Sequence, residues 1–167
     1  MRFLILAMIT YTSLLEGHEG HSSSTGENLI DWILKIGGLH LVFLHFPIAL
    51  ITMTVLAEIL NIRYKNPLYE NAARFMLISA AVLTPLTALL GFALGFGQFY
   101  EGTMNDIYSW HRYFGIVTTI LVLWAVRLRE NYFTGKALHL RSYYICLLFL
   151  FISLNLTGLL GGALAFG

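Results

Sequence analysis

Five ionisable side chains lie inside long apolar runs of this sequence: His40, His45, Glu58, His111 and Arg112. Charge within a bilayer is costly enough to be read as functional by default. Imidazole nitrogens ligate haem iron, copper and zinc. Histidines reaching inward from two helices suit a b-type haem, whose iron takes one axial imidazole on each side. His111 with either His40 or His45 would serve, and a surplus histidine or Arg112 would hold a propionate. A metal ion, copper above all, is the alternative use of the same three histidines. His18 and His21, in the run His-Glu-Gly-His, would then form a weak outer capture site. In a third reading the histidines bond carbonyls or hydroxyls between helices of a cofactor-free structural subunit.

The helix carrying two of them limits the choice. His45 lies about 7.5 Å deeper than His40 and is turned about 140° away from it, so one straight helix cannot aim both at one ion. Pro47 removes the bond to the carbonyl of Phe43 and allows a bend there. Depth favours His45 as the partner of His111, because it puts the ring in hydrocarbon. His40 is the alternative. Glu58, near the other end of the span, is expected to snorkel or to pair with Arg127 or Arg129.

The elements that must position these groups are transmembrane helices. The chain has 167 residues, 57% hydrophobic and only 11% charged. Soluble domains carry about 25% charged residues, so lipid must take up the surplus apolar surface. A net charge of +1 leaves no footprint for nucleic acid. The single cysteine, Cys146, excludes an internal disulfide and a Cys-x-x-Cys-His haem attachment. Residues 1–17 read as a secretory signal, and residues 18–36 as a polar periplasmic segment ending in an interfacial helix. Residues 37–167 read as an all-α, four-helix transmembrane domain with spans at about 37–62, 71–97, 107–128 and 140–166. Arg63, Lys65 and Arg74 flank the first loop, and Arg127, Arg129, Lys136 and Arg141 the third. Both loops are therefore expected in the cytoplasm, with the mature termini outside. No nucleotide loop or hydrolytic triad is visible, so a redox carrier or accessory subunit is expected rather than a stand-alone enzyme.

The chain also repeats itself. Residues 86–97 read LTALLGFALGFG and residues 156–167 read LTGLLGGALAFG, identical at nine of twelve positions. Two tandem hairpins related by an axis along the membrane normal would account for this. Gly91 with Gly95, and Gly158 with Gly162, have the spacing that lets helix backbones approach closely, and would equally make room for a flat cofactor.

The stretch His40-Leu-Val-Phe-Leu-His45-Phe46-Pro47-Ile48-Ala49-Leu50, with Trp110-His111-Arg112 and Thr157-Gly158-Leu159-Leu160-Gly161-Gly162, resembles a bacterial four-helix membrane family known only as a domain of unknown function. The resemblance covers about residues 37–166. It implies a multi-pass protein of the bacterial inner membrane in a respiratory setting, with cytochrome c-like or respiratory subunits as partners besides lipid. The family's last motif often has histidine where this chain has Leu159. The departure argues against any scheme needing four intramembrane histidines and leaves a single haem.

Overall fold

A computed structural model describes residues 28–166, and all its regular structure there is helical. The signal-like segment, His18 and His21 lie outside the described residues. Helix α1 spans Leu29–Gly37, α2 His40–Phe43, α3 His45–Tyr64 and α4 Pro67–Leu94. A 3₁₀ turn at Gly95–Gly97 follows, then α5 at Thr103–Phe133 and α6 at Arg141–Phe166.

The local starts and stops follow from the sequence. The backbone N–H of Asn28 donates to the Asp31 carboxylate at 3.0 Å and fixes the start of α1. Lys35 lies over the Trp32 ring, as an interfacial anchor would. The chain breaks between α2 and α3 at Leu44, three residues before Pro47, which offers no N–H to the Phe43 carbonyl. That carbonyl accepts the Thr87 hydroxyl at 3.5 Å instead. Lys65, at φ +48°, turns the chain into α4. There the Asn66 side chain caps the N–H of Leu68 at 2.9 Å, and Pro67 takes the first helical position.

Three segments are long and apolar enough to cross a membrane: Leu29–Tyr64, Pro67–Leu94 and Arg141–Phe166. Helix α5, expected as a further span, has the length without the composition. His111 and Arg112 interrupt its apolar run near one end, and Arg127, Arg129 and Glu130 near the other. Large apolar side chains turn outward on α4 and α6, among them Phe75, Val82, Leu89, Leu148 and Leu159, and form a broad exposed apolar surface.

The helices form two hairpins, α3 with α4 and α5 with α6, joined chiefly by α4 packing on α5. The histidine-bearing helices α3 and α5 therefore lie diagonally across the bundle. Burial repeats between the hairpins in register. On α3 the buried Pro47, Ile51, Thr54 and Glu58 stand 71 positions before the buried Thr118, Val122, Ala125 and Arg129 of α5. On α4 the buried Ala73, Leu77, Ala80 and Thr84 stand 70 positions before Tyr143, Leu147, Leu150 and Leu154 of α6. A match seen over twelve residues thus extends to the core-facing positions of all four long helices.

Candidate functional site

At one end of the bundle His40 and His111, themselves equivalent by the 71-residue offset, meet from opposite sides. Their ring centroids are 6.5 Å apart and their planes cross at 87°. His40 Nδ1 lies 2.8 Å from the carbonyl oxygen of Thr87, and His111 Nδ1 lies 3.0 Å from that of Thr157. A carbonyl only accepts, so each Nδ1 carries a hydrogen, and in the neutral ring each Nε2 would keep its lone pair. Metal-ligating histidines are held in this way, with one ring nitrogen tied to a carbonyl and the other left to coordinate.

The repeat also supplies each ring with a seat. A Cβ added at Gly91 would come within 2.9 Å of the His40 ring, and one added at Gly161 within 2.9 Å of the His111 ring. These two glycines occupy equivalent places in the duplicated run. The close-packing role expected of the glycine pairs is therefore corrected. Gly91 makes room for an imidazole, Gly95 faces the ring of Tyr108, and Gly158 and Gly162 have no neighbour within 4 Å of their added Cβ positions. The backbone contact of this kind falls at Gly37, whose absent side chain lets α1 rest on the backbone of Ala93 and Leu94.

Hydroxyls continue the site inward. The Thr157 hydroxyl shares a 3.3 Å contact with that of Thr118, which is 2.8 Å from that of Ser153. Ser153 donates to the Phe114 carbonyl at 3.3 Å, much as Thr87 donates to that of Phe43.

The preference for His45 is also corrected. His45 is exposed on the outer face of α3, and its equivalent in the second hairpin, Ile116, is exposed as well. The rotation between His40 and His45 outweighs the difference in depth, because helix phase decides which ring reaches the axis. Leu159 likewise faces outward, so a leucine there removes nothing from the pair. Arg112 is exposed, with its guanidinium 4.8 Å from the Phe92 ring centre and 5.4 Å from that of Tyr108. It has no acidic partner among the described residues.

Among the described residues no group of three or more histidine, cysteine, aspartate or glutamate side chains could hold a metal ion. A haem brings four nitrogens of its own and needs only two more. His40 and His111 would supply those two nitrogens, their rings 6.5 Å apart between centroids and T-shaped at 87°.

A second polar cluster occupies the opposite end, 18 residues further along the chain, on α3 and α5. Glu58 and Arg129 again occupy equivalent positions. Their side chains are each 2% exposed, and Arg129 Nε lies 3.5 Å from Glu58 Oε1. Tyr143 donates to Glu58 at 2.9 Å and Tyr144 at 3.5 Å, while Arg129 Nη2 reaches Glu70 at 3.3 Å. Beside them Arg74 and Glu130 form a two-pronged pair at 2.6 and 2.7 Å. Of the two partners expected for Glu58, Arg129 is the one that forms the pair, and Arg127 is exposed. The tyrosines and Thr87 were not singled out from the sequence, and Thr157 and Gly161 entered only as part of the glycine motif, although the repeat points to Thr87, Thr157 and Gly161 as seats of the histidines.

Residues 38–167 match the family model of a predicted membrane protein, DUF2231, and the chain belongs to that family. No curated protein matches the chain, and no solved structure does.

Proposed function

We propose that this member of the DUF2231 family of predicted membrane proteins is a membrane electron-transfer subunit that binds a b-type haem between His40 and His111. The observation that carries the proposal is the crossed imidazole pair, 6.5 Å between centroids, with each Nδ1 tied to a threonine carbonyl and each Nε2 free. A bound haem supplies one-electron chemistry. The chain supplies the rest. The carbonyls of Thr87 and Thr157 fix the tautomer and raise the basicity of the coordinating nitrogens. Apolar side chains around the bundle keep bulk water from the rings. Arg112 is the cation available to a propionate. The basic loops argue for cytoplasmic placement of the Glu58–Arg129 end, which puts the histidine pair in the outer half of the membrane.

The test is spectroscopic. Protein expressed with ample haem should give the sharp reduced bands of a low-spin b-type haem, and replacing His18 and His21 together should leave them unchanged. Colourless protein that instead retains copper, with the metal lost when the two tail histidines are replaced, would overturn the proposal in favour of metal handling. Protein with neither cofactor would make the pair structural.

A further inference from the structure

Resting on the haem reading, we infer that Gly91 with the Thr87 carbonyl, and Gly161 with the Thr157 carbonyl, are paired positioning seats. They hold the two axial imidazole planes crossed, and so set the electronic character of the bound iron. Two constraints act on each ring. The Nδ1–H···O bond fixes one edge of the imidazole against the neighbouring helix. The same edge lies over the glycine, where an added Cβ would approach Cε1 and Nδ1 of His40 at 2.9 Å, and those of His111 at 2.9 and 3.3 Å. A ring held at its edge by a hydrogen bond and packed at once against backbone cannot turn freely about Cβ–Cγ. The duplication supplies the same seat twice, facing inward from opposite sides, and the two ring planes stand at 87° to each other.

The angle has an electronic consequence. Each imidazole donates π density into the iron d orbital lying perpendicular to its ring. Parallel rings load the same orbital and split the dπ pair, which gives a rhombic low-spin ferric spectrum. Crossed rings load both orbitals alike and leave them nearly degenerate, which gives a strongly anisotropic signal with a very large maximum g value. Gly91 and Gly161 touch the ligands rather than the iron, so they act on this signature through ring orientation alone.

Low-temperature electron paramagnetic resonance of the ferric, haem-loaded protein tests the inference. The wild-type protein should show the strongly anisotropic low-spin signal. Gly91→Ala and Gly161→Ala should each move it toward a rhombic spectrum, by similar amounts. Gly158→Ala and Gly115→Ala should leave it unmoved, because a Cβ at either meets nothing within 4 Å. Alanine favours helix over glycine, so a change confined to the first two variants reports the rings and not the helices. A rhombic wild-type spectrum, or seat variants that match wild type, would overturn this inference while the haem reading stood. Should either seat variant fail to assemble, the wild-type spectrum still decides. Protein that never takes up haem would overturn both.

Discussion

Replacing Arg129 with methionine should destabilise the bundle by about 3–5 kcal/mol, the cost of leaving a buried carboxylate without its counter-charge. The expectation rests on burial. Arg129 is 1% exposed and Glu58 2%. Two tyrosine hydroxyls remain on Glu58 in the variant, but they neutralise no charge. The double variant Glu58→Gln, Arg129→Met should recover most of the loss, since it leaves no ion behind and the amide still accepts from Tyr143. Reversible unfolding in mixed detergent micelles would measure the full cycle. Strictly additive losses, or a single-variant cost below about 1 kcal/mol, would show that the pair is screened as a surface bridge is. The neighbouring Arg74–Glu130 pair, each side chain about one-third exposed, should contribute far less.

The second large effect concerns the histidines and has a definite ordering. His40→Ala and His111→Ala should each abolish low-spin haem, because each removes one of the two nitrogens and no other described residue takes its place. His45→Ala should leave the optical spectrum intact, since its side chain faces outward. Absorbance of the reduced proteins at equal haem supply would read the result. A spectrum lost with His45 and kept with His40 would mean that the helix turns in the loaded protein.

That ordering reverses the one favoured by sequence, and the reason is physical. Depth can be counted from a sequence, whereas helix phase needs an outside reference. The reference was present in the repeat, because matching His40 to His111, one position beyond the 70-residue offset of the glycine runs, puts Ile116 where His45 stands. Helix positions were legible from apolar length, and the short loops gave the hairpin pairing. Helix α5, expected as a span, falls outside the three segments apolar enough to cross a membrane, because the side chains that build the two polar ends also dilute its hydropathy. Glycine spacing misled in another way. The sequence says where small residues recur but not what fills the space, and at Gly91 and Gly161 an imidazole ring fills it. Glu58 against Arg129 was half legible. Two arginines were within reach of Glu58, and only the side facing the axis distinguishes them.

Between the histidine pair and the Glu58–Arg129 pair the bundle is closed by Ile51, Leu77, Val122, Leu147 and Leu150, all deeply buried. Successive levels along α2 and α3, and along α5, separate the two polar ends by about 27 Å at 1.5 Å per residue. The hydroxyl chain from Thr157 stops at Thr118 and Ser153, above that layer. Among the described residues no hydrogen-bonded chain therefore joins the two ends, and the protein should leave a proton gradient across reconstituted vesicles undiminished.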